Sequence, residues 1–122
     1  MPPYSDASPE ERSQQDALLI LDLQKQHVSV NYENPTITMG RDAKNRIVVD
    51  HPKVSRIHAR IELHKNGFIL SDHSTNGTHV FPSGGEALVL KKDKWAMEGD
   101  GIIYLGKAQT PDALNAIHFH IL

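Results

Sequence analysis

Arg41, Ser55, Arg56, Thr75 and Asn76 carry side chains suited to an anion, and each sits in a short cluster beside turn-forming residues. The clusters are Gly40-Arg41, Ser55-Arg56-Ile57-His58 and Ser74-Thr75-Asn76-Gly77-Thr78. An arginine offers paired N–H donors in a rigid plane. A phosphate on a peptide offers acceptor oxygens and about two negative charges near neutral pH. Ser and Thr hydroxyls extend that donor set, and a primary amide can pair with peptide backbone. Each cluster alone has an ordinary explanation. Gly-Arg is a common pair, a turn serine beside a solvated arginine is unremarkable, and Asn-Gly with Ser and Thr makes local turns. Their order, spacing and strand context give them meaning together.

Those clusters need a frame, and the sequence supplies strands. From Ala17 onward, short segments rich in Val, Ile, Leu and aromatics recur, each closed by Gly, Asn, Asp or Pro. They predict strands at 17–23, 27–32, 36–39, 47–49, 57–63, 67–71, 78–81, 87–90, 94–97, 101–105 and 116–121. Ala59–Leu63 alternates, with Ile61 and Leu63 on one face and Arg60, Glu62 and His64 on the other. Ile117, Phe119 and Ile121 oppose His118 and His120 in the same manner. Period two with one apolar face marks antiparallel sheets packed face to face. Lys65-Asn66-Gly67 predicts an Asn-Gly hairpin, Glu98-Gly99-Asp100-Gly101 a second hairpin, and Ser83-Gly84-Gly85 a third. The fold class expected is all-β, a two-sheet antiparallel sandwich with binding loops at one end. Residues 1–16 are polar and read as a linker or a short helix capped by Ser8-Pro9-Glu10-Glu11; residues 17–122 form the folded domain.

The remaining composition limits the possibilities. The 122 residues suit one domain with its own core, and the formal charge of −2 does not favour non-specific binding to nucleic acid or an acidic membrane. An anion site must then be a local concentration of donors. There are no cysteines, which excludes disulfides and Cys-based metal sites. The longest apolar run, Ala17–Leu21, is far too short to span a bilayer, and no signal-peptide plan opens the chain. A soluble, cytoplasmic protein is expected.

The three clusters resemble, residue for residue, the signature of the forkhead-associated (FHA) family, which recognises phosphothreonine. The resemblance runs from about Leu18 to Leu122 and includes Glu98-Gly99-Asp100 leading to Leu105-Gly106, which looks like a late hairpin of the family's sandwich. It implies that Arg41, Ser55 and Thr75 hydrogen-bond the phosphate, and that Arg56 also reaches it. Asn76 would hold the backbone of the bound peptide. Gly40, His58 and Gly77 would shape the loops. Lys53 matches a position that faces the side chain three residues after the phosphothreonine, and would set specificity. None of these positions departs from the family pattern. The implied function is phosphothreonine recognition in a partner protein, with no turnover and no cofactor, in a chain that stands alone or is joined to other domains. The rival reading is a phosphate-independent assembly or regulatory module.

Other chemistry fits less well. Gly101–Ala108 approaches a P-loop but ends in Ala108, which has no hydroxyl for magnesium. Ser55, His58 and Asp72 lack any nucleophile elbow. His118 and His120, with His64 expected near them, show no metal-binding motif, so no metal site is expected.

Overall fold

In the computed structural model, residues 16–65, 67–106 and 114–122 are described. Residues 1–15 of the expected linker or capped helix, Asn66 of the expected hairpin and the end of the near-P-loop lie outside them. The described residues contain β1 Leu18–Leu23, β2 Gln26–Asn31, β3 Thr36–Gly40, β4 Ile47–Val48, β5 Ala59–His64, β6 Gly67–Asp72, β7 Thr78–Pro82, β8 Leu88–Leu90, β9 Lys94–Ala96, β10 Asp100–Leu105 and β11 Ile117–Ile121. No helix among them is long and apolar enough to cross a membrane.

Alternation along each strand builds the two layers. One sheet has the order β2-β1-β11-β10-β7-β8 and the other β4-β3-β5-β6-β9. Pairing is antiparallel except between β3 and β4, which run parallel. Leu19, Leu21, Val30, Ile103, Ile117 and Phe119 face inward from the first sheet, meeting Met39, Ile61 and Leu70 from the second. Burial of each such side chain is worth roughly 1.5–3 kcal/mol. Trp95 of β9 meets Phe119 of β11 edge-on across the layers, with ring centroids 6.0 Å apart.

Register decides where the loops go. Met39 pairs with Ala59, and Ala59 with Asp72, so the C-terminal ends of β3 and β6 and the start of β5 lie together. Thr78 pairs with Leu105 and with Leu90, which brings the start of β7 and the ends of β10 and β8 to one edge. Asp72 N–H donates to Asp93 O at 2.9 Å and joins these two groups at the same end. Every loop carrying a cluster from the sequence therefore opens on one rim.

Two expectations need correction. Glu98–Gly101 is not a hairpin, because β9 pairs with β6 in one sheet while β10 pairs with β7 and β11 in the other. The chain crosses between layers there, with Gly99 at φ 62°. A glycine with positive φ serves either a tight hairpin or a sheet switch, so the local signal is the same. His64 also does not join His118 and His120. It ends β5 in the five-stranded sheet, while they project from β11 in the six-stranded one. By contrast Lys65–Gly67 does connect paired strands, as does Ser83–Gly85 between β7 and β8.

Candidate functional site

The rim is laced by hydrogen bonds that cross long stretches of sequence. The Arg41 N–H donates to Ser55 O at 3.0 Å, and the Asp42 N–H to Arg56 O at 3.1 Å, which zips the loop after β3 to the loop before β5. Asn45 reinforces that seam. Its buried Nδ2 donates to Arg56 O at 2.6 Å and to Asp42 O at 2.8 Å. Gly40 sits where the seam is tightest: a Cβ there would overlap the Arg56 carbonyl and come 2.9 Å from Asn45 Nδ2. Glycine is needed for close approach, since its φ is not in the left-handed region.

A second set of bonds adds the loop between β6 and β7. Thr75 N–H donates to Ser55 Oγ at 3.2 Å, and Asn76 Nδ2 to Lys53 O at 2.9 Å. Lys53 is also held from behind, because a Cβ on Gly106 would lie 2.6 Å from Lys53 O. Gly77, at φ 88°, turns the chain after Asn76, and its N–H donates to Ser74 Oγ at 2.8 Å. Ser55 is half-buried, while Arg41, Lys53, Arg56, Thr75 and Asn76 expose their side chains on this rim.

His58 lies beneath these loops with no solvent exposure. Ser55 N–H donates to its Nδ1 at 3.0 Å, so Nδ1 must be unprotonated. Nε2 then carries the proton and donates it to Gly77 O at 2.7 Å. Gly106 N–H approaches Nε2 at 3.0 Å but has its true acceptor in the same Gly77 O, at 2.9 Å. A neutral ring thus joins the loop before β5 to the loop between β6 and β7, whose Gly77 O also accepts the Gly106 N–H after β10. Burial lowers the His58 pKa below the ordinary histidine value, against smaller opposing effects of the Gly77 carbonyl and Asp72. The 3.9 Å approach of Nε2 to Asp72 Oδ1 is accordingly not an ion pair of charged groups.

Asp72 was singled out by the sequence only as an unfit catalytic partner, yet it organises the same loop. Its buried Oδ1 accepts from Ser74 Oγ at 2.6 Å and Thr78 Oγ1 at 2.7 Å, and Oδ2 accepts from Lys92 N–H at 2.8 Å. Burial opposes its ionisation, but the bonds from Ser74, Lys92 and Thr78 outweigh it and hold the carboxyl below its usual pKa. Lys92 reaches this position with φ 54°, and its Nζ donates to His73 O at 3.0 Å. The readable signal was the run of hydroxyls at Ser74 and Thr78 after a strand-ending Asp. Among the described residues no group of three or more His, Cys, Asp or Glu could hold a metal ion.

On the flank of the Val48–His51 segment a cavity of about 500 Å³ opens, walled by Leu23, Val48, Val49, His51 and Leu114.

The FHA domain model matches residues 37–102, a span that holds every one of the signature clusters. The chain belongs to the FHA family. Solved structures agree on the fold. An FHA domain of Mycobacterium tuberculosis Rv1747 superposes with a TM-score of 0.64 at 18% identity, over 86% of this chain and 96% of that one. The MEK1 FHA domain, solved with a HOP1 phosphothreonine peptide, gives 0.62 at 20% identity over 84% and 95%. An FHA domain from Arabidopsis thaliana gives 0.59 at 21% identity over 85% and 83%. A search of the curated proteins found no match. FHA domains are recognition modules of a family known for phosphopeptide binding.

Proposed function

We propose that this FHA domain binds a threonine-phosphorylated segment of a partner protein, through Arg41, Ser55, Arg56, Thr75 and Asn76, in phosphorylation-dependent signalling or regulation. The observation that carries the reading is the bond from Thr75 N–H to Ser55 Oγ. It uses the serine oxygen as acceptor and leaves the hydroxyl proton free to donate outward. Ser55 then stands between two exposed guanidinium groups along the chain, Arg41 in the loop zipped to it and Arg56 beside it. A phosphate dianion placed there would accept charge-assisted bonds, each worth about 1.5–3 kcal/mol.

Asn76 suits a second task. One Nδ2 proton is spent on Lys53 O, which fixes the amide plane. The other proton and Oδ1 remain for the backbone of a bound peptide, and such bonds offset part of the ordering cost of an extended ligand. Lys53, exposed on the same loop, would read the side chain three residues after the phosphothreonine. The module itself needs no metal, cofactor or catalytic group for this work. Screening an oriented phosphothreonine peptide library against the protein tests the reading: selection of phosphothreonine with a preference at the third following position supports it. Equal retention of the unphosphorylated library favours a phosphate-independent assembly module instead.

A further inference from the structure

A polar cleft of about 600 Å³ runs along an open edge of the sandwich, and the phosphothreonine reading makes no use of it. Ser29 of β2 lines it from one sheet and Thr36 and Thr38 of β3 from the other. Lys44, Asn45 and Arg46 close it from the loop between β3 and β4. Alternation explains the hydroxyls: β2 buries Val28 and Val30 and exposes Ser29, while β3 buries Ile37 and Met39 and leaves Thr36 exposed.

The cations are positioned by their neighbours. Asn45 is buried and doubly bonded to Asp42 O and Arg56 O, so the residues on either side of it stay at the surface. Arg46 N–H donates to Thr38 O at 3.1 Å, which fixes its backbone beside a cleft hydroxyl. Among the described residues neither Lys44 nor Arg46 has a carboxylate within ion-pair distance, and no carboxylate lines the cleft. Of the nearby acids, Asp22 is engaged by His27, Asp42 accepts the Lys44 N–H, and Glu62, the direct cross-strand neighbour of Thr36, lies 4.0 Å from His64 Nε2. Two cations and three hydroxyls thus share one cleft, a local concentration of donors in a chain of formal charge −2.

We infer that this cleft is a second anion site, for a phosphoryl group distinct from the one read at Arg41. A phosphomonoester brings about two charges and three terminal oxygens, enough to engage both cations and the hydroxyls at once; a carboxylate has a single charge to divide between them. Both cations are solvent-exposed, so the dissociation constant for free phosphate is expected on the order of millimolar. The source of the group is a small phosphate ester or a second phosphorylated residue on a partner. The inference stands whether or not the Arg41 rim binds phosphothreonine.

The test is a titration of isotope-labelled protein with inorganic phosphate at fixed ionic strength, followed by amide shifts. Saturable shifts are expected at Thr36, Thr38 and Arg46. Lys44→Ala/Arg46→Ala should weaken that response at least about tenfold while leaving thermal stability and the response of Ser55 and Thr75 to a phosphothreonine peptide unchanged. Free O-phosphoserine and a doubly phosphorylated peptide then separate the sources: a gain at this set for the peptide assigns a partner, and none assigns a small ester. Absence of saturable shifts at Thr36, Thr38 and Arg46, or their survival in the double variant, overturns the site.

Discussion

Ser55 and Thr75 stand 20 residues apart in sequence, yet the hydroxyl oxygen of one accepts the backbone N–H of the other at 3.2 Å. This bond fixes the spacing of the two loops on which the proposed phosphate contacts depend. It also orients the serine, because an oxygen committed as acceptor directs its own proton elsewhere. Beneath it, His58 joins Ser55 N–H to Gly77 O, so the same two loops are tied at the surface and again in the core.

Arg41→Ala should abolish most binding and leave the fold intact. The structural bond of Arg41 is made by its backbone N–H, which alanine retains, and the side chain is exposed. Loss of a charge-assisted contact of about 2–3 kcal/mol means roughly thirty- to over a hundred-fold weaker binding to a phosphothreonine peptide. Calorimetric titration beside a thermal melt checks both halves. Wild-type affinity in the variant would remove Arg41 from the site.

Stability should fall on mild acidification because His58 is buried neutral. Its folded pKa is lowered, so the unfolded chain takes up the proton first as pH falls. The contribution is complete above the unfolded value of about 6.5 and is lost progressively below it, toward the folded value. His79, half-buried and also lowered by burial, acts in the same window, so a His79→Gln background isolates His58. Asp72 adds a separate acid window, its contribution being present above about 3.8 and lost as pH drops through its lowered folded value. Chemical denaturation of the His79→Gln variant from about pH 7.5 to 5 should show declining stability. A flat profile contradicts the buried neutral ring. His58→Ala should cost about 3 kcal/mol or more, since it leaves Ser55 N–H without its acceptor and opens a cavity.

Much of this was legible because it is local. Hydrophobic alternation in Ala59–Leu63 and Ile117–Ile121 marks Ile61, Ile117 and Phe119, which the fold buries, with Leu63 and Ile121 partly buried against the core. The Gly-Arg, Ser-Arg and Ser-Thr-Asn-Gly clusters mark loops on their own chemistry. What failed was non-local. Whether Gly99 closes a hairpin or switches sheets depends on which strands pair with β9 and β10, and no residue near Gly99 records that. His64 shares a residue type with His118 and His120 but not a sheet. Asp72 is only partly legible: its hydroxyl partners Ser74 and Thr78 are local, but the third is the backbone of Lys92, 20 residues on. Asn45 was passed over for the same reason: its acceptor Arg56 O lies 11 residues away.

Lys53 should bias the choice of ligand. An Asp three residues after the phosphothreonine would gain a partly exposed ion pair of about 0.2–1 kcal/mol, and Lys53→Glu should reverse the preference between Asp and Lys at that position. The Lys53 carbonyl, not its ammonium, holds Asn76, so the loop survives the substitution. Two peptides titrated against two proteins at low and high salt give the answer. If the Asp-to-Lys affinity ratio does not change, selectivity lies elsewhere, with the cavity walled by Leu23, Val49 and Leu114 next in line.

The central claim is phosphate-dependent recognition of threonine, and one side-by-side titration tests it most directly. A peptide selected from the library is compared as its threonine, phosphothreonine and phosphoserine forms. The phosphothreonine form should bind and the unmodified form should not. The phosphoserine form should bind about fivefold more weakly, since one buried methyl is worth on the order of 1 kcal/mol. Equal affinity for the unmodified and phosphothreonine peptides would contradict the account.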